Sequence, residues 1–96
     1  MIEQILSWAG ERNAYFWATH SGAELDLMVI AKGKRWGFEI KYQDAPTVTK
    51  SMRIAVQDLK LERLWVIYPG KDGYPIDERI ECRPLAELNQ IRAVLR

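Results

Sequence analysis

Residues Glu24 to Lys41, ELDLMVIAKGKRWGFEIK, place acidic side chains inside two apolar runs joined by a short basic turn. A charge within a strand pattern needs a partner, a cation or solvent, because burying it unpaired costs several kcal/mol. In the first run Leu25, Leu27 and Val29 alternate with Glu24, Asp26 and Met28, and period two assigns one set to each face of a strand. In the second run Trp36, Phe38, Ile40 and Tyr42 take one face, and Arg35, Gly37, Glu39 and Lys41 the other. Glu39 and Lys41 then project side by side, roughly 7 Å apart at about 3.3 Å of rise per residue. In the connection Ala31-Lys32-Gly33-Lys34, the glycine supplies the positive φ of a tight hairpin. If the strands pair across it, Asp26 comes near Glu39, and two carboxylates with a lysine on one hairpin face suit a divalent metal and a phosphate. The same residues also fit an exposed sheet face on which Glu39 and Lys41 pair with each other or across strands, worth roughly 0.2–1 kcal/mol.

The flanking segments predict one α/β (α+β) domain around this hairpin. Ile2, Ile5, Leu6 and Ala9 recur at helical spacing up to Gly10, so residues 2–11 are expected to form an amphipathic helix. A helix this close to the start suggests that further chain precedes it. Glu3 lies at the border of its apolar stripe and can face inward, or serve as a first-turn acid on the helix dipole, while Glu11 lies opposite. Tyr15 to His20 has strand composition, and Ser21-Gly22 turns it into the hairpin, giving a three-strand antiparallel meander. His20 stands without a partner that would give it a catalytic role. Val48, Met52, Ala55, Val56 and Leu59 share a helical face, and Leu64 to Tyr68, LWVIY, reads as a strand buried on both sides. Strand, helix and buried strand in series give a parallel crossover. Residues 70–75 read as a turn-rich loop, Arg79 to Arg83 as a short strand, and Pro84 as the start of a last amphipathic helix.

Ninety-six residues supply one modest core. Fourteen basic and thirteen acidic side chains leave a charge of +1, so any nucleic-acid surface must be local. Cys82 is the single cysteine, which excludes an intrachain disulfide and a cysteine-based zinc site; it reads as a small core hydrophobe in a cytoplasmic protein. No apolar run approaches the roughly 18 residues that span a bilayer, and no membrane association is expected. Trp8, Trp17, Trp36 and Trp65 suit either a core or an interface.

An E-x-K tripeptide with an upstream aspartate is a weak signal alone, and its mid-strand placement strengthens it. The order helix, three strands, helix, strand, with Asp26 on the second strand and Glu39-x-Lys41 on the third, resembles the PD-(D/E)XK nuclease superfamily. More narrowly, FWATHSGAELDLMV from Phe16, WGFEIKY from Trp36 and TKSMRIAVQDLKLERLWVIYPG from Thr49 resemble a nuclease-like domain found at the C-terminus of many archaeal and bacterial predicted ATPases. That resemblance implies a restriction-endonuclease-like core over residues 1–96, a mixed central sheet flanked by helices, as the C-terminal part of a longer ATPase. No G-x-x-x-x-G-K-[ST] occurs, so ATP hydrolysis cannot belong to these residues. Where the superfamily's name pattern has proline before the aspartate, this chain has Leu25.

By the resemblance, Asp26 and Glu39 are metal ligands for Mg²⁺ or Mn²⁺, joined by Glu3 from the first helix, and Lys41 positions water and offsets charge on the scissile phosphate. Glu24 would add polarity beside Asp26. Lys32, Lys34 and Arg35 at the hairpin tip, with Lys50 and Arg53 on the following helix, are candidate contacts to a DNA backbone or ordinary solvated charges. The implied activity is metal-dependent phosphodiester hydrolysis in DNA, alone, as a homodimer, or attached to the ATPase. The superfamily also holds members without catalysis, and the competing expectation is an inactive module for docking to or regulating an ATPase.

Overall fold

The computed structural model describes residues 14–19 and 22–95. The helix expected over residues 2–11, with Glu3, Trp8 and Glu11, and also His20, lies outside the described residues.

Among the described residues six strands form one mixed sheet: β1 (Ala14–Ala18), β2 (Glu24–Ala31), β3 (Lys34–Ile40), β4 (Arg63–Tyr68), β5 (Tyr74–Asp77) and β6 (Ile80–Pro84), in the spatial order β1-β2-β3-β4-β6-β5. The β1-β2-β3 meander is antiparallel, as its turn residues predict. Helix α1 (Lys50–Leu59) crosses from β3 to β4, which pair in parallel, and β4 pairs in parallel with β6. A short 3-10 turn (Leu85–Glu87) leads into α2 (Leu88–Leu95). Thr49 caps α1, its hydroxyl accepting the Met52 N–H at 3.2 Å, which satisfies one of the orphan donors of the first turn.

Each sheet face carries its own apolar cluster. Under α1, Leu25, Leu64, Val66, Ile80 and Cys82 pack with Met52 and Ala55 of the helix. On the other face Leu27, Val29, Trp36, Phe38, Trp65 and Ile67 pack with Leu88 and Ile91 of α2. β4, with Leu64 to Tyr68 all buried, is covered on both sides, which is why LWVIY carries no polar alternation. Trp36 and Trp65 stack at 5.3 Å between ring centroids and are core, not interface, residues.

Three details depart from the sequence expectation. Leu25 and Leu27 sit on opposite sheet faces, because between Tyr15↔Met28 and Trp17↔Leu25 the register shifts by one residue. Two β2 residues, Asp26 and Leu27, thus oppose the single β1 residue Phe16, a β-bulge, and the strict alternation assigned to this run is broken at the aspartate. β3 ends at Ile40, so Tyr42 is 81% exposed and does not join the Trp36 face. The loop expected over residues 70–75 yields at Tyr74 to β5, a four-residue edge strand whose Pro75 needs no ladder hydrogen bond on its outer side.

Candidate functional site

The β2–β3 ladder runs from Ala31↔Lys34 to Leu27↔Phe38. The next opposed pair is Asp26 and Glu39, and here side chains take over from backbone. The Asp26 N–H donates to Glu39 Oε1 at 3.2 Å, and the Ile40 N–H donates to Asp26 Oδ2 at 2.8 Å. The bulge on the β1 side of Asp26 accompanies this opening of the ladder, and each carboxylate spans the gap to hold a backbone donor of the opposite strand.

Glu39 is the one charged residue buried among the described residues, 6% exposed. Gly37, two residues earlier on the same strand face, shows why the sheet closes so tightly here. A Cβ on it would stand 2.7 Å from the Cδ1 atoms of Leu61 and Leu64, which identifies this face as the one under α1. Burial first, and the adjacent Asp26 charge second, push the Glu39 carboxyl up from its ordinary 4.5 to about 7, against the opposing pull of the Asp26 N–H and Lys41. Lys41, partly exposed, brings Nζ to 3.9 Å from Glu39 Oε2, while its N–H continues the ladder to Ile67 O at 3.0 Å. The triad expected from the sequence therefore converges, with Glu39 buried, Asp26 half-buried and the lysine at the rim.

Two further elements meet at this end of the sheet. The Glu24 N–H donates to Ser51 Oγ at 3.0 Å, tying the start of β2 to the first turn of α1; the Glu24 side chain itself is exposed. Residues 41–49 join the site to α1, and Pro46 in this connection is buried, its carbonyl accepting the Tyr74 hydroxyl at 3.1 Å and facing Cys82 Sγ at 3.8 Å. Cys82 thus packs as the small hydrophobe expected of it, its thiol pushed up by burial.

The basic residues divide. Lys50 is exposed on the first turn of α1, next to Ser51 and so at the acidic end. Arg53 is turned to β5 and pairs with Asp77 at 3.1 Å. Lys32, Lys34 and Arg35 lie at the opposite end of β3, Lys34 being five residues or roughly 17 Å of strand from Glu39. There Lys34 pairs with Glu62 at 3.5 Å, and Arg35 donates to the Leu59 carbonyl at 3.2 Å. Sequence reasoning did not find the two backbone donors or the bulge, since a main-chain N–H and a one-residue slip leave no residue signature.

Two hard-oxygen carboxylates beside a cation are a fit for a divalent metal that keeps most of its waters. Among the described residues no group of three or more His, Cys, Asp and Glu side chains is gathered as a fuller ligand set. Glu3, expected to supply the third carboxylate, lies outside them. No described helix is long and apolar enough to cross a membrane.

Among curated proteins, the chain is 36% identical over 88 residues to the Uncharacterized protein Rv2008c of Mycobacterium tuberculosis (strain ATCC 25618 / H37Rv) and to the Uncharacterized protein Mb2031c of Mycobacterium bovis (strain ATCC BAA-935 / AF2122/97). The match takes in 92% of this chain and 20% of each relative, so the chain spans about a fifth of their length. No solved structure matches it. The profile of the Domain of unknown function (DUF4143) matches residues 1–88, the whole of the hairpin, its acidic pair, α1 and the strands that follow, and the chain belongs to that family.

Proposed function

We propose that this chain is a Mg²⁺-dependent nuclease-type domain with a restriction-endonuclease-like core, hydrolysing phosphodiester bonds in DNA in the cytoplasm as part of a longer ATPase. The observation that carries this reading is the meeting of Asp26, Glu39 and Lys41 where β2 and β3 part. A buried carboxyl raised to about 7 beside a second carboxylate is a costly arrangement for a fold to keep, and a bound cation would remove the cost. Asp26 and Glu39 would hold the metal, and when bound it would acidify a water and neutralise charge on the phosphate. Lys41, at the solvent rim, offers a compact ammonium to a phosphate oxygen and pulls Glu39 toward its ionised form. Glu39 accepts the Asp26 N–H and Asp26 accepts the Ile40 N–H, which fixes the spacing of the two strand ends, so the proposed ligands are held before any substrate arrives.

A second reading is favoured by the same hydrogen bonds. Both carboxylates already satisfy a backbone N–H across the opened ladder, a structural task that an inactive module for docking to or regulating the ATPase would retain. Incubation of supercoiled plasmid DNA with Mg²⁺ or Mn²⁺ separates the two. The nuclease reading expects nicking or linearisation by the parent chain that is lost in Asp26→Asn, Glu39→Gln and Lys41→Ala. Intact plasmid with every metal, from a chain that stays folded, would favour the docking module.

A further inference from the structure

The described residues contain two non-glycine positions with positive φ, Lys32 at 56° and Lys60 at 53°, and both are lysines at the same end of the sheet. Lys32 and Gly33 form the two-residue connection between Ala31 and Lys34, with positive φ at both positions, where Asn-Gly is the usual choice. Lys60 is the left-handed cap that ends α1, its N–H donating to the Val56 carbonyl, where glycine or asparagine is usual. At each position a lysine is the sterically dearer residue, and a strained position that keeps its side chain is a reason to look for what that side chain does. Lys60 lines a shallow groove of about 390 Å³ together with Gly33, Lys34, Arg35, Asp58 and Glu62. Glu62 is held by Lys34 at 3.5 Å and by Arg79 at 3.8 Å, so one of the two groove carboxylates is already neutralised. Lys32 immediately precedes the groove residue Gly33, and counted with Lys34, Arg35 and Lys60 against Asp58 and Glu62 it gives a local excess larger than the +1 of the whole chain.

We propose that this corner is a phosphate-tracking surface for duplex DNA, with Lys32 and Lys60 as its contact residues, set apart from the Asp26–Glu39 end. The choice of DNA rests on the nuclease reading; the surface itself rests on the two lysines. The sheet-length offset between the groove and Glu39, roughly 17 Å along β3, means that the corner holds duplex beyond the point of cleavage. Phosphate contacts of this kind position a duplex without reading its sequence.

The test is the affinity of the 96-residue chain for a short mixed-sequence DNA duplex in EDTA, measured against salt concentration, for the parent and for Lys32→Gly/Lys60→Gly. Glycine fits both backbone conformations, so the double variant should gain a few degrees in Tm while the slope of log K against log salt falls by roughly two, near 0.9 per lost contact. Lys32→Asn/Lys60→Asn, which also tolerates the left-handed region, should repeat the slope change. A rise in Tm with an unchanged slope would overturn the proposal, since the lysines would then be ordinary surface charges. Equal slope loss with poly-glutamate in place of DNA would overturn DNA as the occupant. A parent chain that binds DNA in this way yet never cleaves it would sink the nuclease reading while leaving the surface standing.

Discussion

Asp26 and Glu39 each hold the other's strand: the Asp26 N–H donates to Glu39 Oε1 at 3.2 Å, and Asp26 Oδ2 accepts from Ile40, the residue after Glu39, at 2.8 Å. The pair is therefore the clasp of a ladder that has opened, and it includes the one charged side chain buried among the described residues. Removing charge and removing geometry have opposite consequences there.

Asp26→Asn keeps an oxygen for the Ile40 N–H and removes the charge that helps raise Glu39. The metal-free variant should be unchanged or more stable than the parent, by about 1 kcal/mol, since one unit of pKa shift corresponds to about 1.4 kcal/mol. Its response to Mn²⁺ should be flat, whereas the parent should gain roughly 2.7 kcal/mol at about 100 times the dissociation constant, several degrees in Tm. Thermal melts with and without Mn²⁺ read both effects. A destabilised metal-free variant together with a parent that ignores Mn²⁺ would identify Asp26 as a purely structural clasp.

The pH dependence has a definite sign. Glu39 rises from 4.5 to about 7 on folding, so between those values the folded state binds the extra proton. Its contribution to stability is fully present below about 4.5 and is lost as pH rises through about 7, on the order of 3 kcal/mol in the metal-free chain. Glu39→Gln, whose amide oxygen can still accept the Asp26 N–H, should remove most of this slope in urea titrations at pH 5 and pH 8. A parent whose stability rises across that window would contradict the assignment. Because a metal competes with the proton, Mn²⁺ affinity in the parent should also weaken below about pH 7.

Much of this was legible in the sequence, and the residues show why. The meander, the crossover and β4 follow from period two in Trp36 to Ile40 and from the unbroken LWVIY, because burial on one face or on two imposes those patterns directly. The bulge at Asp26 was hidden because Leu25 and Leu27 are both apolar: a one-residue slip exchanges their faces without changing the pattern. β5 was hidden behind Pro75, which marks a turn unless the strand is an edge. Lys60 was hidden because a left-handed cap on lysine lacks the glycine that announces one.

Gly37 tests the packing that holds the site. Gly37→Ala places a methyl 2.7 Å from Leu61 and Leu64 Cδ1 and 3.3 Å from Leu25 Cδ2, all from buried side chains. The leucines must repack around it, at a cost of about 1–3 kcal/mol in urea denaturation. A loss below about 0.5 kcal/mol, within the range of surface substitutions, would show that the α1 face is loosely packed around Gly37.

The central claim, that Asp26 and Glu39 hold a metal for chemistry assisted by Lys41, is tested most directly on Lys41→Ala. The ammonium lies 3.9 Å from Glu39 Oε2 and is a neighbour of the proposed ligands, not one of them. Mn²⁺ binding followed by electron paramagnetic resonance, alongside plasmid cleavage by the same samples, should show Lys41→Ala retaining the parent's Mn²⁺ affinity within a few fold while cleavage disappears. Equal loss of Mn²⁺ affinity in Lys41→Ala and Asp26→Ala, or a parent that binds no Mn²⁺ at all, would contradict it.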